Sequence, residues 1–219
     1  MKGFDRSTVS SLEGIASYGC VFLELQPGKK MPTRAWDDFL YLHDQQGQSR
    51  LDLAFAWLKR GNGVGYLFRN RLAAVDCDSP ETVQRVIRFN QERGIKCPIT
   101  WTPSGGRHFL FELPQSVDQH RLKHHVCHPK EAGVVMPWDF KLGSRTMLVA
   151  PGTIRFDADG NEIGRYKASP WMQPPVVDPR DLAPGLSIYP EFPADLLERL
   201  LRELGAVRLP VLCGEHPLT

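Results

Sequence analysis

The chain of 219 residues is 42% apolar and 24% charged, ordinary for a globular protein and enough for a core that needs no disulfide or metal staples. No run of about 18 apolar residues occurs and no apolar stretch follows Met1-Lys2-Gly3, so neither a membrane-spanning helix nor a signal peptide is expected. Five scattered Cys without a C-x-x-C fit free thiols in a reducing cytoplasm, and a net charge of +2 neither demands nor excludes a nucleic-acid partner, because whole-chain charge is a poor test for a local groove.

Leu12, Ile15 and Ala16 mark a first helix that ends near Gly19, and Cys20 to Leu25 reads as a buried strand. Pro27-Gly28-Lys29-Lys30-Met31-Pro32 is a loop with two cations, Lys29 and Lys30, which read either as a solvated turn or as a template or phosphate contact. Trp36, Phe39 and Tyr41 have core-like spacing; stacking on nucleic-acid bases is the rival reading. Ser49 is placed to cap a helix with Leu51, Ala54, Phe55 and Leu58 on one face and Gly61 at its stop.

Gly63 to Phe68 and Leu72 to Cys77 read as two strands joined at Arg69-Asn70-Arg71. Ser79 and Pro80 make an N-cap and first turn, followed by a buried stripe of Val83, Val86 and Ile87 and a stop at Gly94. Ile99 to Thr102 is a strand and Pro103-Ser104-Gly105-Gly106-Arg107 a tight loop. His108 to Leu113 is a strand with His108, Leu110 and Glu112 on one face and Phe109, Phe111 and Leu113 on the other. Trp138 to Arg145 is read as the segment leading into a strand at Thr146 to Ala150. Asp159-Gly160 turns a hairpin between Ile154-Arg155-Phe156 and Ile163 to Tyr166. Residues 170 to 193 are Pro-rich and expected to be irregular; Pro193 then opens an amphipathic helix with Leu196, Leu197, Leu200 and Leu201. Mixed strands, helices and hairpins favour α+β over a doubly wound sheet.

Three stretches carry chemistry. The first is Leu72-Ala73-Ala74-Val75-Asp76-Cys77-Asp78, an apolar run ending in two carboxylates. Two strand residues advance only about 7 Å, so Asp76 and Asp78 can reach one ion or ion pair. Two neighbouring anions repel, which favours a bound divalent cation over the alternative of a helix cap and a surface ion pair. The second is Thr102 to His108. Gly105 and Gly106 let backbone N–H groups approach an anion, while Ser104 can offer a hydroxyl, Arg107 a fork and His108 an imidazole N–H to phosphate oxygens. The third is Asp139 followed by Lys141 and Arg145. Carboxylates to hold ions and cations to neutralise a leaving pyrophosphate are what two-metal nucleotidyl transfer needs.

In their order, these motifs resemble the archaeo-eukaryotic primase superfamily, specifically the bifunctional DNA primase/polymerase (Prim-Pol) N-terminal domain family. Gly28-Lys29-Lys30-Met31-Pro32 resembles its Gly-Lys-x-Pro turn, and Gly63-Val64-Gly65 with Asp76-Cys77-Asp78 its glycine strand and Asp-x-Asp/Glu motif. Thr102-Pro103-Ser104-Gly105-Gly106-Arg107-His108 resembles the Thr-Pro-Ser-Gly-Gly-x-His motif closely. Asp139-Phe140-Lys141, Leu148 to Thr153 and Gly164-Arg165-Tyr166 resemble the closing motifs. The resemblance implies an RRM-like catalytic sheet, antiparallel or mixed, packed with a smaller N-terminal α/β unit. Residues 1 to 170 would form the catalytic domain, and residues 171 to 219 a Pro-rich strap and C-terminal helix packed on it. Asp76, Asp78 and Asp139 would be the metal carboxylates for Mg²⁺ or Mn²⁺; Ser104 and His108 would contact the incoming nucleotide, with Lys141 where relatives carry a basic residue. Partners would be DNA template and primer, NTPs or dNTPs, and a replicative helicase, in a phage, plasmid or other mobile element.

Between the second and third stretches lie His120, His124, His125, Cys127 and His128, where some relatives carry a zinc-bound insertion. His124 and His128 could share a helical face as Zn²⁺ ligands, but no C-x-x-C accompanies them, and histidines solvated beside DNA phosphate are the preferred reading. Two rival functions use the same residues: a metal-dependent nuclease, which has no need of the glycine turn, and a non-catalytic replication initiator or single-strand-binding module, which has no need of three acids.

Overall fold

Two antiparallel sheets organise the chain in a computed structural model that describes residues 3–46, 50–69, 71–113, 137–143, 146–169, 189 and 191–205. Helix α1 (Arg6–Ser17) starts at Asp5, whose carboxylate accepts from the Thr8 amide at 2.8 Å. Strand β1 (Val21–Leu25) pairs with β2 (Gly63–Leu67), and β2 with β7 (Met147–Val149), giving a three-stranded sheet. Helices α2 (Trp36–Gln46) and α3 (Leu51–Lys59) pack against β1. The second sheet has the order β10-β4-β5-β3-β6, built from Lys167–Ala168, Ile99–Trp101, Arg107–Glu112, Leu72–Cys77 and Trp138–Leu142. A separate hairpin pairs β8 (Ile154–Phe156) with β9 (Glu162–Arg165). Its turn is held by Asp157, whose carboxylate accepts from the amides of Asp159 and Asn161. The fold is α+β, as expected.

Strand alternation gives the five-stranded sheet two different faces. Ala73, Val75, Cys77, Phe109, Phe111, Trp138 and Phe140 are buried with Val83, Val86 and Phe89 of α4 (Pro80–Glu92) and with Leu197, Leu200 and Leu201 of α5 (Ala194–Glu203). Each of those three leucines is worth roughly 1.5–3 kcal/mol of transfer free energy. They hold α5 in place although Pro193 offers no side-chain cap. On the opposite face Leu72, Ala74 and Leu110 join the other core, shared with α1, α3 and the three-stranded sheet.

Some of these expectations are corrected and others refined. Trp138 to Leu142 does not merely precede a strand; it is one, because Trp138, Phe140 and Leu142 alternate with Asp139 and Lys141 between buried and half-buried positions. Helix α2 was not expected; Trp36, Phe39 and Leu40 give it an apolar stripe, with Asp37 and Asp38 in its first turn. Phe39 is buried edge-on against Trp57, which rules it out as a template platform, whereas Tyr41 is exposed. The N-cap of α3 is Arg50, with no side-chain bond, while Ser49 lies outside the described residues. Finally, β2 and β3 are consecutive but belong to different sheets, so their short connection carries the chain from one layer to the other. The Pro-rich residues 170–188 and the cluster His120, His124, His125, Cys127 and His128 lie outside the described residues. Among the described residues no helix is long and apolar enough to cross a membrane.

Candidate active site

The register of the five-stranded sheet aligns one row of residues across it. Ala168 faces Thr100, Thr100 faces His108, His108 faces Asp76, and Asp76 faces Asp139. Residues directly opposite in a sheet share a face, with Cβ atoms about 4.5–5.5 Å apart. Asp76 and Asp139, 63 positions apart in sequence, and His108 between them are thus adjacent because of one ladder. His108 Nε2 stands 3.4 Å from Asp76 Oδ1. Lys141, two residues after Asp139 on the same face of β6, places its Nζ 2.5 Å from Asp139 Oδ2 and 3.9 Å from Asp76 Oδ2. Ala74 lies opposite Lys141, so no bulky side chain separates the ammonium from β3.

Asp78 sits one residue beyond the end of β3 and is exposed, its amide tied to the Pro137 carbonyl at 2.8 Å. Ser79 immediately caps α4 by accepting from the Thr82 amide. Asp76 and Asp78 are both perturbed. Burial pushes the Asp76 carboxyl up to about 6, with Asp139 adding to the rise and Lys141 and Lys30 opposing it. Asp78 is also raised, by burial first and then by Asp76 and Asp139. Burial, Lys30 and Lys141 hold His108 down to about 3, so its imidazole is neutral near pH 7. The ring is 3% exposed and tilts on Tyr166, with centroids 5.9 Å apart; its Nδ1 has no hydrogen-bond partner.

The glycine turn packs on the acid end of β3. A Cβ on Gly106 would lie 2.4 Å from the Cys77 carbonyl and 3.4 Å from Asp78 Cα, so only glycine fits there. Gly105 takes a φ of +93°, the left-handed region open to glycine. Ser104 is exposed on the turn, its hydroxyl 3.1 Å from that of Thr102. Arg107 corrects an expectation. It is out of step with His108 and falls in the row of Cys77 and Trp138, on the helix-covered face. Its guanidinium donates to the carbonyls of Gly105 and Gly106 and lies 3.9 Å over the Trp101 ring. Arg107 therefore shapes the turn from behind instead of offering a free fork to phosphate.

Lys30 reaches the site electrostatically, acting on Asp76, Asp78 and His108, from a loop whose Gly28 packs directly on Phe156. Lys29 is exposed. Arg145 lies outside the described residues. Tyr166 and Thr100, which flank His108, were not singled out as site residues. Tyr166 was legible only as the last residue of a closing motif, and Thr100 only once the register was known.

All-oxygen ligand sets suit hard divalent ions such as Mg²⁺ or Mn²⁺. The mutual repulsion of Asp76, Asp78 and Asp139 means that positive charge stabilises them, so the residues fit such an ion. Lys141 now supplies part of that charge, and among the described residues no group of three or more His, Cys, Asp or Glu side chains closes on a common point. A cavity of about 300 Å³ lies elsewhere, between β1, α2 and α3, lined by Arg34, Arg50 and Arg60 over Phe39 and Trp57.

The model of the family described as bifunctional DNA primase/polymerase, N-terminal, matches residues 12–184. The chain belongs to this family. Its members are primase/polymerase nucleotidyltransferases, and the matched span contains every residue of the candidate site described above. No curated protein matches the chain.

Proposed function

We propose that this Prim-Pol chain is a template-dependent primase/polymerase that transfers nucleotidyl groups from NTPs or dNTPs to a 3′-hydroxyl. The observation that carries the reading is the single row His108–Asp76–Asp139, with Lys141 and the glycine turn beside it. Asp76, Asp78 and Asp139 would hold Mg²⁺ or Mn²⁺, which supplies charge neutralisation of the triphosphate and acidification of the attacking hydroxyl. Neutral His108 donates one N–H towards phosphate oxygen without adding charge of its own. Ser104 would offer a hydroxyl from the turn, and Lys30 and Lys141 would supply cations to neutralise negative charge building on pyrophosphate. In the same reading the five-stranded sheet is the RRM-like unit of the primase superfamily fold. Residues 1 to 170 form the catalytic body, α5 braces it, and the chain works with a DNA template and a helicase in a mobile element.

The experiment uses primed and unprimed template, labelled nucleotide and Mg²⁺ or Mn²⁺, with D76A beside the parent. Extension by the parent that is lost in D76A supports the proposal. Metal-dependent shortening of the strand would instead establish a nuclease, and metal-independent binding without turnover a non-catalytic binding module.

A further inference from the structure

We infer that Lys141 is a built-in stand-in for the divalent cation: it neutralises Asp139 and Asp76 in the metal-free protein, and ion binding displaces it towards the nucleotide's phosphates. The inference rests on the metal reading of the acids given above. Its own basis is the bridging position of the ammonium, 2.5 Å from Asp139 Oδ2 and 3.9 Å from Asp76 Oδ2. The side chain is 20% exposed and the two carboxylates 15% and 14%, so water screens the group only in part. Coulombic terms between such groups are correspondingly larger than on an open surface.

An ammonium and a divalent cation compete for these carboxylates: both are drawn to the same pair of anions, and a 2+ and a 1+ charge at contact repel strongly. Displacing Lys141 needs no backbone movement. Its four-carbon stem has several rotatable bonds, and the residue opposite it in the ladder, Ala74, is small. The displaced ammonium then lacks an anion. The nearest new one would arrive with the metal, as the phosphates of the nucleotide. Metal and nucleotide thus favour each other's binding through one side chain, and linkage makes that coupling reciprocal.

The test is Mn²⁺ titration without nucleotide, read by the loss of free-ion signal in electron paramagnetic resonance. Parent, K141Q, K141R and D76N are compared. K141Q should bind Mn²⁺ roughly tenfold tighter than the parent, because no ion pair has to be broken first. K141R, which keeps the charge, should bind no tighter than the parent. Equal or weaker binding by K141Q would overturn the inference while leaving the metal site standing. Binding by the parent no stronger than by D76N would remove the metal reading itself, and the inference with it. A second measurement keeps the parent chain intact, in case K141Q does not fold. With lysines ¹³C-dimethylated, the Lys141 resonance, assigned by its absence in K141R, should move towards the solvent-exposed position when Mg²⁺ is added. An unmoved resonance under saturating Mg²⁺ overturns the inference.

Discussion

The two faces of the five-stranded sheet are built from the same strands and do opposite things. On one, Val75, Phe109, Trp138 and Phe140 pack under α4 and α5 and contribute only stability. On the other, one residue along each strand, Asp76, His108 and Asp139 share a row in which burial disfavours the charged forms of Asp76 and His108. The comparison teaches that the apolar face supports the polar one. A sheet gripped by two helices can hold mutually repelling acids in register, where a loop would let them separate.

The comparison can be broken most severely at Asp76. D76N should lower extension by about 10³-fold or more, read as kcat/KM on primed template. The same change should raise the stability of the metal-free protein at neutral pH, by up to about 3 kcal/mol in denaturant unfolding, since it removes a carboxylate that burial disfavours. An activity residue whose loss stabilises is the opposite of a core residue. W138A tests the other face. Deleting this fully buried ring, whose Nε1 donates to the Leu204 carbonyl at 2.9 Å, should cost about 3–5 kcal/mol, with far less effect on nucleotide KM in the molecules that remain folded. G106A sits between the two. Its methyl group would collide with the Cys77 carbonyl, so the turn must shift, costing about 1–3 kcal/mol and raising nucleotide KM.

The smallest and sharpest effect is a pair of opposed pH slopes. Asp76 is raised from an ordinary 3.8 to about 6, so its contribution is greatest at low pH and is lost as pH rises from about 4 to 6. His108 is lowered from 6.5 to about 3, so its contribution is present above about 6.5 and is lost as pH falls. Across pH 4–6 the two nearly cancel. Relative to the parent, D76N should therefore become more stable with rising pH in that window, and H108Q less stable, each by about 1.4 kcal/mol per pH unit. Unfolding midpoints measured from pH 4 to 7 read both; slopes of the same sign would show that the two groups are not opposed.

Much of the candidate site was legible before the fold was. The alternation of Leu72 to Cys77 and of His108 to Leu113 placed Asp76 and His108 on defined faces, and the pairing of those faces is what the ladder shows. The same alternation puts Arg107, one residue before His108, on the far side. Strand β6 was missed although Trp138-Asp139-Phe140-Lys141-Leu142 alternates cleanly; five residues behind a proline are a short signal beside a strand as apolar as Thr146 to Ala150. Lys141 was read as a cation for phosphate. Its bridge to two acids depends on Ala74 being opposite it, and cross-strand neighbours are set by register, which no single segment encodes.

The hydrogen bond from the Trp138 indole to the Leu204 carbonyl has a mechanical consequence. It ties the last turn of α5 to the residue immediately before the third acid. Tension or displacement applied to the polypeptide after Gly205 would be passed, through one indole, to the position of Asp139. The row of acids is therefore one residue away from a tie to α5 on the opposite face of the sheet.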